Sequence, residues 1–256
     1  MNQTNGNLWI EKWKPNPQAK ARLFCFPHVG ASAMIYRTWG SSLPEDIELI
    51  AVELPGRGRR FGESAFHSMS DLIPAMSKGL QSLLDKPFFL FGHSMGALIA
   101  YEWTFFLEQK NQKLPEAIFL SAFGAPHLPA RPRKVLHRLS DEDFLEELRR
   151  LKGTPPEVLQ HQELMQLLLP MIRADLEIVE NYQYASLPRR VSSPLYALGA
   201  SQDEEVELPR LEAWKDLTSS EFKMKLFEGD HFYIQNSRLQ VLEYLTQEIS
   251  KRMQHV

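Results

Sequence analysis

The sequence has a single cysteine and lacks any long uninterrupted apolar run. With Cys25 alone, no disulfide can form within the chain, and its apolar neighbours indicate a small buried hydrophobe. No apolar run approaches the ~20 residues that a membrane-spanning helix needs. The first residues have no basic segment followed by an apolar one, so we expect no secretory signal. These absences predict a cytoplasmic protein without a membrane partner.

The sequence also lacks a strong excess of charge of either sign. Its 29 basic and 32 acidic residues give a net charge of -3, which does not favour a nucleic-acid partner. No internal repeat, linker or low-complexity stretch interrupts it. A chain of 256 residues can bury the core of one α/β domain. We therefore expect a single domain over 1–256, and a monomer.

The most informative stretch is 88–97, Phe-Phe-Leu-Phe-Gly-His-Ser-Met-Gly-Ala. Its first four apolar residues fit a strand buried on both faces of a parallel sheet, and apolar residues at helical spacing follow the second glycine. A serine in a tight turn between strand and helix is the G-x-S-x-G nucleophile elbow. Gly92 and Gly96 are needed because side chains there would collide with the neighbouring strand and helix. The sequence therefore predicts Ser94 as a nucleophile.

Two backbone N–H groups are predicted to stabilise an oxyanion beside Ser94. Met95 lies at the N-terminus of the predicted helix, so its N–H should point to the same place as the serine oxygen. In hydrolases with this elbow, the second donor comes from the first strand-to-helix loop, here residues 27–32. We assign it to Val29, with His28 as the alternative; His28 is otherwise a loop histidine with local hydrogen bonds.

A serine nucleophile needs a base, and the base needs an acid that holds its tautomer. In this fold the acid and then the histidine follow the serine along the chain. Only His231 among the eight histidines follows a late predicted strand, and Asp203 follows the strand before it. These residues and Ser94 should meet at the carboxyl edge of one parallel sheet. Glu204 and Glu205 adjoin Asp203 and remain alternatives for the acid.

Residues 126–188 break the alternation of strands and helices. We interpret this segment, here called the lid segment, as a helical lid over the carboxyl edge of the sheet. Ser140 is predicted to cap its first helix. Thr154 and Glu157 have the spacing of a capping box for a second helix, and Pro170 is predicted to interrupt a third.

Three apolar residues of the lid segment are candidates for lining a hydrophobic pocket: Met165, Leu168 and Met171. The alternative is that they pack the lid onto the body. The polar arm before about Lys20 is expected to be pinned by Trp9 and Trp13. The arginines at 57, 59 and 60 favour a solvated face over an anion site.

Five blocks of this sequence resemble the signature motifs of type II thioesterases, the stand-alone thioesterases of polyketide, nonribosomal-peptide and some fatty-acid synthases. The resemblance extends from about Leu23 to the last predicted helix. It implies the α/β-hydrolase fold, a mostly parallel sheet with helices on both faces, and a triad of Ser94, Asp203 and His231. The blocks lie at 26–30 (Phe-Pro-His-Val-Gly), 54–57 (Leu-Pro-Gly-Arg), 92–96 (Gly-His-Ser-Met-Gly), 172–175 (Ile-Arg-Ala-Asp) and 229–232 (Gly-Asp-His-Phe).

The resemblance also implies a reaction and a partner. Members hydrolyse acyl groups held as thioesters on the phosphopantetheine of an acyl or peptidyl carrier protein, either to edit wrong units or to release products. No other cofactor and no metal is expected. The basic residues from Arg131 to Arg138 would then receive an acidic carrier. Fold and triad alone are also compatible with an esterase, a lipase or a peptidase. A non-catalytic binding protein is a further alternative, and an intact triad argues against it.

Overall fold

One mixed sheet organises the computed structural model of the chain, which describes residues 6–129, 134–185 and 189–254. Within those residues the strand order is β1-β3-β2-β4-β5-β6-β7, and all neighbours are parallel except β1, which pairs antiparallel with β3. The strands are β1 (Ile10–Glu11), β2 (Ala21–Phe26), β3 (Ile47–Val52), β4 (Phe88–His93), β5 (Ala117–Ser121), β6 (Leu195–Ala200) and β7 (Phe222–Phe227).

The five strands from β2 to β6 are buried along their whole length. Their side chains alternate between two apolar clusters, one on each face of the sheet, as the two-residue period of a strand requires. Phe24 and Phe26 belong to one cluster, while Leu23 and Cys25 belong to the other. Only a sheet covered on both faces removes such continuous apolar runs from water.

The helices cover both faces of this sheet, which confirms the α/β-hydrolase architecture expected from the sequence. Helices α1 and α2 contribute to the cluster on one face, and α8 contributes to the other. The α-helices are α1 (Met69–Leu80), α2 (Met95–Gln109), α3 (Asp141–Leu151), α4 (Pro156–Gln160), α5 (Gln162–Glu180), α6 (Leu208–Glu212), α7 (Tyr233–Asn236) and α8 (Arg238–Met253).

Helices α3, α4 and α5 lie in the lid segment and share an apolar cluster of their own. Ser140 caps α3 as predicted, since its Oγ accepts the N–H of Asp143 at 3.2 Å. The predicted capping box of α4 is wrong: Pro155 is the N-cap residue, and no side chain caps the helix. Pro156, the first residue of the helix, supplies a fixed φ angle for the first turn without a capping oxygen.

The predicted interruption at Pro170 is also wrong, because α5 runs through it without a break. Proline removes one helical hydrogen bond and frees the carbonyl four residues earlier. That carbonyl belongs to Gln166, and both residues are exposed, so water can satisfy the freed oxygen. Solvent exposure therefore makes the proline tolerable in mid-helix.

The N-terminal arm is more ordered than its composition indicates. It contributes β1, a strand of only two residues that pairs with the end of β3. Trp9 stacks on Phe66 with ring centroids 6.3 Å apart, and the guanidinium of Arg60 lies 4.0 Å from the Trp9 ring centroid. The tryptophan thus holds the arm against the body, as expected from the sequence.

Candidate active site

The turn between β4 and α2 has the strained geometry of a nucleophile elbow. Ser94 has φ 53° and ψ -119°, a conformation that residues with side chains rarely adopt. Its N–H donates to the carbonyl of Ser121 at 2.8 Å, which ties the turn to β5. A Cβ on Gly92 would lie 2.0 Å from the carbonyl oxygen of Gly96, and one on Gly96 would lie 2.2 Å from that of Phe26. Only glycine fits at both positions.

His231 and Asp203 are brought together at the carboxyl edge of the sheet, after β7 and β6. His231 Nδ1 lies 2.9 Å from Asp203 Oδ2 and 3.2 Å from Oδ1. Because a carboxylate only accepts, Nδ1 carries the proton and Nε2 is left free to accept one. The Asp203 side chain is 2 % exposed and that of His231 is 16 % exposed, so the base reaches the surface while its acid is buried.

The loop after β6 selects Asp203 over the two glutamates beside it. Asp203 Oδ1 accepts the N–H groups of Glu205 and Val206 at 2.8 and 3.1 Å. These bonds fix the carboxylate so that Oδ2 faces His231. The Glu205 carboxylate instead lies 3.4 Å from a guanidinium nitrogen of Arg150, and Glu204 is exposed.

The two predicted oxyanion donors lie on the elbow and on the loop after β2. Met95 is the first residue of α2, so its N–H has no acceptor within the helix. Val29 lies on the loop after β2 and lines the same cavity as Ser94. The neighbouring N–H of Gly30 is already donated to Asp175 Oδ2 at 2.8 Å. Val29 and His28 thus remain the candidates for the second donor.

A cavity of about 890 Å³ opens over the serine and is lined by Ser94, His231, His28 and Val29. Its other walls combine charged side chains, such as Lys134, Glu147 and Glu180, with many apolar ones of the kind that line pockets for acyl-sized ligands. The apolar ones include Phe123, Leu128, Leu136, Leu148, Leu151, Ile172, Leu176, Val179, Val206 and Phe232. The arrangement presents a nucleophile, a base and backbone donors in one cavity.

Two buried histidines beside the site are held in the neutral form. Burial lowers the pKa of His28 to about 4, and it lowers that of His93 well below its usual value. His28 Nδ1–H donates to the carbonyl of Val29 at 2.9 Å. The His93 ring lies 5.5 Å from that of His231, and its Nδ1 is hydrogen-bonded to Ser121 Oγ at 2.8 Å. Neither imidazole adds positive charge next to His231 at neutral pH.

The thioesterase domain family matches residues 21–249 of this chain. The chain belongs to this family. The gramicidin S biosynthesis protein GrsT of Aneurinibacillus migulanus is 36 % identical over 243 residues, which cover 95 % of this chain and 94 % of the relative. The structure of BorB, a type II thioesterase from the borrelidin biosynthetic cluster, superposes with a TM-score of 0.85 at 34 % identity, over 94 % of this chain and 97 % of BorB. The family expected from the sequence is confirmed, and with it a thioester hydrolase.

A third relative of this thioesterase has a different name. The linear gramicidin dehydrogenase LgrE of Brevibacillus parabrevis is 39 % identical over 237 residues, covering 91 % of this chain and 89 % of LgrE. Dinucleotide-binding folds that carry out hydride transfer use a G-x-G-x-x-G motif after a strand. The present sequence contains no such motif. The similarity to LgrE extends over nearly the whole of both chains.

The face of α5 that lines the cavity of the thioesterase is not the one suggested by the sequence. Met165 and Met171 are buried in the apolar cluster of the lid segment, and Leu168 packs against that cluster. Ile172, Leu176 and Val179 line the cavity instead. The helix is apolar on more than one side, and the spacing of its residues does not say which side meets the body.

The predicted solvated face at 57–60 is wrong for two of its three arginines. Arg57 and Arg60 are 3 and 7 % exposed. Arg60 pairs with Glu63 at 2.6 Å, and Arg57 forms a two-pronged ion pair with Asp175 of α5. Arg59 alone is exposed, and it pairs with Glu11. Two of the resembling blocks, 54–57 and 172–175, are therefore joined in space by one buried ion pair.

The basic cluster of the lid segment is only partly visible. Arg131 and Arg133, like Pro188 at the end of the segment, lie outside the described residues. Lys134 pairs with Glu147 at 3.2 Å, and Arg138 Nε donates to the ring of His137 at 3.2 Å.

Neither a metal cluster nor a membrane span appears in the described ranges 6–129, 134–185 and 189–254. No group of three or more histidine, cysteine, aspartate or glutamate side chains is placed there to hold a metal ion. No helix in those ranges is long and apolar enough to cross a membrane.

Proposed function

We propose that this thioesterase is a serine enzyme in which Ser94 is the nucleophile, His231 the general base and Asp203 the acid that orients it. The observation that carries the proposal is the shared cavity: a strained, partly exposed serine and a histidine held by a buried carboxylate line the same space. Strain at a single serine persists only where surrounding contacts enforce it, and it concentrates at functional sites.

The proposed reaction has two halves. His231 Nε2 accepts the Ser94 proton while Oγ attacks the thioester carbonyl, and the N–H groups of Met95 and Val29 stabilise the oxyanion. The C–S bond then breaks, the thiol leaves with the proton from His231, and an acyl-Ser94 ester remains. In the second half, water gives a proton to His231 and attacks this ester. The acid is released and Ser94 Oγ regains its proton.

The proposed substrate is an acyl group on the phosphopantetheine thiol of an acyl or peptidyl carrier protein. The names of the relatives support this class, since GrsT acts in gramicidin S biosynthesis and BorB belongs to the borrelidin cluster. The apolar walls of the cavity suit an acyl chain. The proposed role is editing of wrong or stalled acyl units, or release of a finished chain.

The partner, cofactor and location follow from this substrate. The carrier brings its own phosphopantetheine, and the proposed chemistry uses no other cofactor or metal. We propose that the enzyme acts as a monomer in the cytoplasm. Its single cysteine, Cys25, is buried and free, as is usual in a reducing compartment.

A panel of acyl-carrier proteins tests the proposal. Each is incubated with the wild-type enzyme or with Ser94→Ala, and intact-mass spectrometry records the loss of the acyl group. Matched acyl-coenzyme A and oxygen esters of the same acyl groups are the comparison substrates. We expect the acyl-carrier proteins to be hydrolysed fastest, and only by the wild type. A strong preference for oxygen esters would instead establish a general esterase.

A further inference from the structure

The loop that carries the second oxyanion candidate is held by a residue of α5, far away in the sequence. The N–H of Gly30 donates to Asp175 Oδ2 at 2.8 Å across 145 residues of chain. The carbonyl of the same peptide group, which belongs to Val29, accepts His28 Nδ1–H at 2.9 Å. Both ends of the peptide between Val29 and Gly30 are therefore fixed by side chains.

Asp175 is itself fixed by Arg57. Arg57 Nη1 and Nη2 donate to Oδ2 and Oδ1 of the carboxylate at 2.7 and 2.6 Å. This bidentate geometry restrains the planes of the guanidinium and the carboxylate relative to each other. Arg57 Nη1 also donates to the carbonyl of Ala31 at 3.0 Å, one residue beyond Gly30. The side chains of Arg57 and Asp175 are 3 and 2 % exposed. The pair thus contacts the oxyanion loop at two successive residues, shielded from water.

Ile172, one helical turn before Asp175, packs on the same glycine. A Cβ on Gly30 would lie 3.3 Å from Ile172 Cγ1, and the glycine has φ +75°. Residues three apart lie on one face of a helix, so a single face of α5 meets this loop with both a carboxylate and an apolar side chain. Ile172 also lines the cavity.

We propose that Asp175, held by Arg57, is a positioning residue that aims the N–H of Val29 at the developing oxyanion. Helix α5 would then be part of the catalytic geometry as well as a wall of the acyl cavity. The proposal rests on the proposed function, because it needs Ser94 to generate an oxyanion. The argument depends on the fixed peptide group between Val29 and Gly30. Once the plane of this peptide group is fixed, only the backbone torsions of Val29 can change the direction of its N–H bond.

Two double variants separate positioning from plain stability. Arg57→Met with Asp175→Leu removes both buried charges together, which avoids leaving either one unpaired, and it takes away the acceptor of the Gly30 N–H. Arg57→Met with Asp175→Asn also removes the charges but restores an amide oxygen that can accept this N–H. The control is Arg22→Met with Glu48→Leu, another buried ion pair, paired at 3.0 Å at the opposite end of β2 and β3. Its further partners, Lys12 and Asp85, reach solvent and can be hydrated once the pair is removed.

The measured quantities are kcat and KM on hexanoyl-N-acetylcysteamine and Ki for hexylboronic acid, whose adduct with Ser94 is a tetrahedral anion. Losing an oxyanion donor outright costs about 10²–10³ in rate. For a misaimed donor we expect the leucine variant to lose about 10- to 100-fold in kcat with KM changed less than ~3-fold. Its Ki should rise by the same factor as kcat/KM falls. The asparagine variant should recover most of both losses.

Concentrations of active sites come from fluorophosphonate titration, so that loss of folded protein does not enter the rates. A folded leucine variant with wild-type kcat and Ki would overturn the proposal, as would an equal loss in the Arg22 and Glu48 control. If the leucine variant does not fold, failure of the asparagine variant to bind the boronic acid better than Asp175→Ala would also overturn it. A wild type that titrates with fluorophosphonate leaves the proposed function standing in each of these cases, whereas one that does not react contradicts both.

Discussion

Replacing Asp203 with asparagine tests the geometry that prepares His231 as a base. Asp203 Oδ1 accepts two backbone N–H groups, at 2.8 and 3.1 Å, and these bonds require an oxygen. The amide oxygen of the introduced side chain must therefore take this place, and its NH₂ group takes the place of Oδ2, 2.9 Å from His231 Nδ1. A donor there forces Nδ1 to accept, so that the proton moves to Nε2. The base then has no free lone pair for the Ser94 proton.

The expected loss is large although almost nothing moves. The same substitution in the serine-protease triad, which acts by the same tautomer change, costs about 10⁴ in kcat. That factor is ~5.5 kcal/mol of transition-state stabilisation at about 1.36 kcal/mol per tenfold change. Steady-state hydrolysis of a short acyl thioester, followed by thiol release, measures kcat, and thermal unfolding measures whether the fold is kept. We expect a variant that is folded but about 10⁴-fold slower.

The matched control is Glu204→Gln, which makes the same chemical change in the adjacent residue, whose side chain is exposed. We expect this variant to stay within about threefold of the wild type, as surface changes away from the machinery do. If Asp203→Asn keeps more than about a tenth of the wild-type kcat, His231 does not depend on this carboxylate for its tautomer. A glutamate then has to be considered as the acid.

Two further predictions concern stability and substrate choice. His28 has its pKa lowered, chiefly by burial, to about 4, so the unfolded chain takes up this proton at a higher pH than the folded one. The corresponding stability is present above about pH 6.5 and is lost as the pH falls towards 4, by roughly 2 kcal/mol between pH 7 and 5. In urea unfolding, His28→Gln should lose less stability than the wild type over this interval, and an equal loss in both would contradict the assignment. Leu176→Trp should fill part of the cavity and lower kcat/KM for long acyl thioesters more than for short ones. Leu167→Trp, on the exposed side of α5, is its control, and a parallel decline for both chain lengths in Leu176→Trp would argue against an acyl chain in this space.

The elbow and the pairing of Asp203 with His231 were predictable because each depends on local or topological rules. The two glycines around Ser94 are required by contacts within one turn and with the adjacent strand, and such contacts leave a short motif in the sequence. Asp203 and His231 lie 28 residues apart, but parallel strands place their carboxyl ends at one edge. Chain order alone then brings these side chains together.

The contacts of Arg57 with Asp175 were not predictable from the chain alone, since 118 residues separate them. A run of arginines after a strand usually indicates a solvated face, and nothing near Arg57 shows that a carboxylate will be buried against it. The family resemblance includes both blocks, 54–57 and 172–175, but it does not indicate that they are in contact. The cavity-lining face of α5 could not be predicted for a related reason. The helix is apolar on several sides, so the spacing of its apolar residues does not indicate which side faces the cavity.

Labelling of Ser94 tests the central claim most directly. The wild type, His231→Ala and Ser94→Ala are treated with a fluorophosphonate, and the adducts are located by mass spectrometry of the digested protein. The account predicts one adduct in the wild type, on Ser94, much slower labelling in His231→Ala and none in Ser94→Ala. An unlabelled wild type, or an adduct on another residue, would contradict it.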